Sequence, residues 1–88
     1  VTEPAVTVYL ADWCPYCQRA KGLLTQKNVV FNEINVDERP ELRAEMMARS
    51  NRRTVPQIFI GDKHVGGCDD LIELDRSGEL DRLIQGAR

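Results

Sequence analysis

Aromatic side chains are scarce in this chain: Trp, Tyr and Phe together make up 6% of its 88 residues. A core here must be built chiefly from aliphatic side chains. No apolar run approaches the ~20 residues that a membrane-spanning helix requires, so no membrane association is expected. Charge of one sign is not in excess either. The formal net charge is -2, which gives no electrostatic footprint for nucleic acid. There is one histidine, His64, and there are three cysteines, Cys14, Cys17 and Cys68. An odd, small cysteine count does not resemble the disulfide framework of a secreted mini-protein. The opening VTEPAV has neither the basic nor the apolar region of a secretory leader, so a reducing, cytoplasmic setting is expected. There a CxxC pair is more often catalytic or metal-binding than a permanent staple.

The length suits one domain over 1–88 with one modest core. No repeat, linker or low-complexity segment interrupts it. The run AVTVYL (Ala5–Leu10) reads as a strand covered on both faces. The stretch ADWCPYCQRAK follows. Pro15 suits the first turn of a helix, where its missing N–H would have no partner anyway. Cys17, Ala20, Leu23 and Leu24 then recur at helical spacing on an inward stripe, whereas Cys14 lies off that stripe and is expected to be more exposed. VVFNEINV (Val29–Val36) reads as a second strand, parallel to the first through the helix over Pro15–Lys27. DERPELRAEMMARS (Asp37–Ser50) reads as a second helix, with Asp37 a possible cap, Pro40 near its first turn and Leu42 and Met46 inward. PQIFI and HVGG flank the turn GDK as a hairpin, with His64 an exposed hairpin residue. CDDLIELDRSG reads as a helix opened by Cys68 or Asp69 and closed by Gly78, and ELDRLIQ adds a last helical piece burying Leu80, Leu83 and Ile84. This order predicts an α/β domain: a small four-stranded mixed sheet with helices on both faces.

A thiol pair at a helix mouth can do redox chemistry. The thiolate is the nucleophile, and an ordinary cysteine with a pKa of about 8.5 carries little of it at neutral pH. Unpaired N–H groups and the helix dipole favour the anion. The dipole contributes at most ~2 kcal/mol, and each N–H bond to a charged sulfur about 1.5–3 kcal/mol. Cys14 is therefore expected to be the nucleophile and Cys17 the resolving thiol. A disulfide between them closes a small loop and adds little entropic stabilisation, so it suits cycling better than stapling.

Four features together resemble the glutaredoxin family: CPYC (Cys14–Cys17), TVP (Thr54–Pro56), GGCDDL (Gly66–Leu71), and the spacing among them. The resemblance covers nearly the whole chain and is nearest to short bacterial dithiol members. It implies a thioredoxin-like fold, glutathione as co-substrate and a cis Val55–Pro56 peptide. It also implies that Thr54, Val55 and Pro56 form a turn beside the active sulfurs, offering backbone to a peptide-like ligand. Gly67, Cys68 and Asp69 are implied to hold the γ-glutamyl end, the helix N-terminus taking its carboxylate. Asp69 is equally placed to be a plain helix cap, and Tyr16 to pack either beside the sulfur or over the helix start.

By position along the second helix, Arg43 matches the family's contact to the glycine carboxylate. It belongs to the arginine-rich stretch RPELRAEMMARSNRR, which otherwise reads as a solvated helix face. Arg49, Arg52 and Arg53 are weaker candidates. The implied partners are glutathionylated or disulfide-containing proteins, with ribonucleotide reductase a candidate, acting on a monomer. One departure stands out: the family commonly has a lysine three residues before the first cysteine, and here that place is Ala11, followed by Asp12. A cation that would favour the thiolate is missing there, with Arg19 or Lys21 as candidate substitutes. Trp13 beside the nucleophile is also less usual.

Two other readings compete. Cys14, Cys17, His64 and Cys68 formally supply three thiolates and an imidazole for zinc or an iron–sulfur cluster. A second CxxC or an HxxxH-type pair is absent, and the proline after Cys14 argues against a shared cluster, so no metal is expected. Alternatively, the fold is kept but electrons come from thioredoxin reductase.

Overall fold

The computed structural model describes residues 5–85. Strand β1 (Val6–Leu10) is followed by α1 (Pro15–Gln26), β2 (Phe31–Asn35), α2 (Pro40–Ser50), β3 (Gln57–Ile60), β4 (Lys63–Gly66), α3 (Cys68–Arg76) and α4 (Glu79–Gln85). The sheet order is β2-β1-β3-β4. β1 runs parallel to β2, with Val6 opposite Phe31 and Leu10 opposite Asn35. It runs antiparallel to β3, which pairs antiparallel with β4. The mixed four-stranded sheet expected from the sequence is therefore present.

Alternation along β1 and β3 divides the apolar residues between two layers. Val6, Val8, Leu10, Ile58 and Ile60 join Cys17, Ala20 and Leu24 of α1, Leu71 of α3 and Leu80 of α4 in the main core. Tyr9 and Phe59 turn the other way and meet Met46 of α2 and Val36 in a second, smaller core. That smaller core has a polar lid. The Tyr9 hydroxyl donates to Glu45 at 2.5 Å and accepts from Arg49 at 2.9 Å, and the Arg49 guanidinium lies 4.1 Å from the Phe59 ring centroid. Among the described residues no helix is long and apolar enough to cross a membrane.

Several local expectations are corrected. β2 starts at Phe31, two residues later than the apolar run suggests. Asn28 takes a left-handed φ of 60°, and the Val29 N–H donates to the Leu24 carbonyl at 2.9 Å, tying this stretch to the end of α1 and leaving Val30 exposed. Asp37 does not cap α2. The cap is Arg39, without a side-chain bond, because Pro40 takes the first helical position and leaves Asp37 too far upstream. Leu42 is only half-buried. Helix α3 is capped by Gly67 rather than by Cys68 or Asp69.

Candidate active site

The Ala11–Cys14 turn delivers the first thiol from the end of β1 to the mouth of α1. The Cys14 N–H donates to the Ala11 carbonyl at 3.3 Å, which closes the turn. Cys14 has extended backbone and is itself the N-cap of α1, with Pro15 following. Its sulfur accepts the Cys17 N–H at 3.2 Å, and its S–H points to the Val55 carbonyl at 3.7 Å. These contacts fold the side chain inward, so Cys14 is buried, at 3% exposure. The expectation that it stands exposed is corrected. Being off the leucine stripe does not expose a cap residue whose side chain turns back onto its own helix.

All three cysteines are thiols. Cys17 is fully buried on the inward face of α1. Burial first, then its hydrogen bond with Cys14, pushes its thiol up to about 12. The two sulfurs therefore differ in kind: one receives a helix N–H, and the other is held protonated by the core. Cys68 is also buried, and burial raises its thiol, with the Arg19 cation pulling the other way.

A cleft opens beside this pair. Its walls are Tyr16 from α1, the Thr54–Pro56 turn, Gln57 at the start of β3, and Gly67 through Asp70 at the start of α3, with Arg52 at its rim. The structure thus brings together Tyr16, Thr54, Val55, Pro56, Gly67, Cys68 and Asp69. The Val55–Pro56 peptide is cis. Asp70 organises the α3 wall. Its carboxylate accepts the Gly67 N–H at 2.9 Å and the Arg52 guanidinium at 3.2 Å, and these two bonds, the Gly67 one first, hold the carboxyl below the usual range. Gly66 makes this possible: its φ is +119°, and a Cβ there would lie 2.3 Å from the Asp70 Oδ2.

Arg43 is elsewhere. It pairs with Asp37 at 3.1 Å, donates to the Arg53 carbonyl at 3.3 Å, and lines a separate hollow with Val36, Pro40 and Met47. Helix α2 contributes no residue to the walls of the cleft, so position along that helix does not bring Arg43 to it. Asp37 also accepts the Trp13 indole N–H at 2.8 Å. That bond, ahead of the Arg43 one, keeps its carboxyl below the ordinary 3.8.

Ala11 is fully buried in the main core, and Asp12 is exposed. The cations near the site come from other elements: Arg52 at the rim, and Arg19, whose guanidinium lies 5.8 Å from the Tyr16 ring centroid. Lys21 is engaged with Glu33 at 3.0 Å. His64 is not an exposed hairpin residue. It is half-buried, faces the Gln57 amide at 2.7 Å and lies against Phe59 with 4.9 Å between ring centroids. Among the described residues no group of three or more His, Cys, Asp or Glu is arranged to hold a metal.

Sequence reasoning missed Asp70 and Gln57 and ranked Arg52 low. An acid at the third position of a helix that follows two glycines was an available signal for Asp70. Gln57 carries no local signal.

The sequence profile of the glutaredoxin family matches residues 6–65. A glutaredoxin of Pseudomonas aeruginosa is 57% identical over 81 residues, covering 92% of this chain and 96% of that one. The solution structure of a glutaredoxin from Brucella melitensis superposes with a TM-score of 0.87 at 52% identity, covering 100% of this chain and 96% of that one. A crystal structure of a buckwheat glutaredoxin–glutathione complex superposes with a TM-score of 0.84 at 33% identity, covering 92% and 76%.

Proposed function

The chain belongs to the glutaredoxin family of thiol–disulfide oxidoreductases, with the thioredoxin-like fold, and from that premise we propose that it is a dithiol, glutathione-dependent member. The observation that carries this reading is the Cys14 sulfur, held by the Cys17 N–H at 3.2 Å and touching Val55, a residue of the cleft wall. A nucleophile is thus set against the wall of the cleft.

Cys14, as thiolate, attacks the glutathionyl sulfur of a protein–glutathione mixed disulfide. A Cys14–glutathione disulfide forms, the protein sulfur leaves, and the leaving thiolate takes a proton. A second glutathione thiolate then attacks the bound glutathionyl sulfur, giving glutathione disulfide and restoring Cys14. On a protein disulfide Cys14 forms the mixed disulfide with the protein. Cys17 then loses its proton and attacks the Cys14 sulfur, releasing the protein thiol and closing Cys14–Cys17. Two glutathione molecules reduce that bond. Exchange is governed by thiolate fraction, nucleophilicity and leaving-group pKa.

In this reading the backbone of Val55 meets the cysteinyl part of glutathione, and the N–H groups of Cys68 and Asp69 meet its γ-glutamyl carboxylate, the Gly67 N–H being held by Asp70. Arg52, rather than Arg43, is the cation available to the other carboxylate. The buckwheat relative's complex with glutathione supports this use of the cleft. The proposed setting is the cytoplasm, and the proposed partners are glutathionylated and disulfide-containing proteins, met by a monomer.

The test is turnover of a glutathionylated peptide with NADPH supplied through glutathione and glutathione reductase, or through thioredoxin reductase, using wild type and Cys14→Ser. Activity with the first source and its loss in Cys14→Ser are expected. Turnover confined to thioredoxin reductase would overturn glutathione dependence. Undiminished Cys14→Ser activity would overturn the nucleophile.

A further inference from the structure

Among the described residues Gln57 is the one buried amide side chain, at 1% exposure, and the thiol chemistry as derived makes no use of it. Its Nε2 donates to the Thr54 carbonyl at 3.0 Å and to the Thr54 hydroxyl at 3.3 Å. A carbonyl only accepts, so the amide nitrogen faces Thr54 and Oε1 faces the other way. Oε1 lies 2.7 Å from His64 Nε2. That ring nitrogen must therefore carry a proton. Burial first, and the Arg52 cation second, lower the His64 pKa, so the ring at neutral pH is the neutral Nε2–H tautomer. The ring is fixed in turn by Phe59, its partner across the β3–β4 ladder.

We propose that Gln57 is a positioning residue, clamped by His64, that fixes the Thr54–Val55 peptide unit so that the Val55 N–H is aimed for ligand. The peptide unit is planar, so holding the Thr54 carbonyl on one side sets the direction of the Val55 N–H on the other. The same stretch sets the Val55 carbonyl, which the Cys14 sulfur touches. A rigid chain thus runs from the hairpin histidine through Gln57 to the turn against which the nucleophile sits. The inference rests on the reading that this turn binds a glutathione-like peptide. Without the clamp, Thr54 is an exposed residue of a loop whose peptide planes can rotate.

The experiment measures KM and kcat for a glutathionylated peptide in wild type, Gln57→Leu, His64→Leu and His64→Gln, with 15N NMR of the His64 ring. Gln57→Leu is expected to raise KM about tenfold, the loss of an oriented hydrogen bond, and to change kcat much less. His64→Leu, a substitution on a half-buried hairpin position, is expected to raise KM about threefold, and His64→Gln, which restores an N–H donor, to recover most of it. The wild-type ring is expected to show the Nε2–H tautomer. If Gln57→Leu does not fold, the His64 pair carries the test. Unchanged KM in His64→Leu, a loss confined to kcat, or an Nδ1–H tautomer overturns the clamp while wild-type turnover keeps the functional reading. An inactive wild type overturns both.

Discussion

The backbone N–H of Cys17 points at the sulfur of Cys14 at 3.2 Å, so each member of the pair has a different relation to the same helix. Cys14 receives the helix's donor. Cys17 supplies it from a fully buried position. Cys17→Ser should abolish reduction of protein disulfides and largely spare reduction of protein–glutathione mixed disulfides, since the second route closes no Cys14–Cys17 bond. Parallel assays on a protein disulfide and a glutathionylated peptide check this, and equal loss in both would break the division of labour.

The raised Cys17 thiol also makes a stability statement. The folded state keeps this proton up to about 12, whereas the unfolded chain releases it near the ordinary 9.0. The unfolded state therefore binds fewer protons between those values, and stability is full below 9.0 and falls as pH rises through the window. The slope from this one group is at most about 1.4 kcal/mol per pH unit. Urea unfolding at pH 8 to 11 should show that decline in wild type and a shallower one in Cys17→Ala.

Trp13 is the single tryptophan, and its indole N–H is bound to Asp37, which also pairs with Arg43. Because Asp37 has a lowered carboxyl pKa, the tie should persist below the ordinary 3.8 and be lost only as pH falls further. Tryptophan fluorescence against pH should show a transition with its midpoint below 3.8, and Asp37→Asn should remove it.

The two arginines that position along the chain makes comparable are distinguished by the cleft. Arg52→Ala should raise KM for a glutathionylated peptide about fivefold, the size of an exposed charge contact, and Arg43→Ala should change it by less than about twofold. The reverse order would restore Arg43 to the ligand site.

Gly66→Ala tests the α3 wall. The substitution meets both a backbone conformation disfavoured for alanine and the Asp70 carboxylate at 2.3 Å, which would have to leave Gly67 and Arg52. A loss of about 1–3 kcal/mol is expected in urea unfolding, together with weaker ligand binding. Wild-type stability in this variant would show that the close approach is not required.

Most of the fold was legible because its determinants are local. Alternation and β-branching mark β1, helical spacing marks α1, and Pro15, Pro40 and Gly78 mark where helices begin and end. The thiol pair was legible from its spacing at a helix start, and the TVP and GGCDD segments through the resemblance to the glutaredoxin family. Part of what was not legible depends on partners outside a short window of sequence. Asp37, left too far upstream of Pro40 to cap α2, binds Trp13, 24 residues away, and Arg43 instead. Cys14 is buried by a contact to Val55, 41 residues on. His64 reads as a polar turn residue until Phe59 and Gln57 close around it. Such contacts follow from how strands come into register, which no single window of residues records.

That register also dictates where chemistry can occur. In β1 odd and even positions serve different layers: Tyr9 belongs to the Met46 side, and its neighbours Val8 and Leu10 to the other. One residue inserted before Leu10 would exchange those allegiances and swing the turn that carries Cys14 toward the wrong layer. Two inserted residues would restore the layers but lift the sulfur about 6–7 Å along the strand direction, beyond reach of Val55. Length between strand and thiol is thus as demanding a requirement as the presence of sulfur itself.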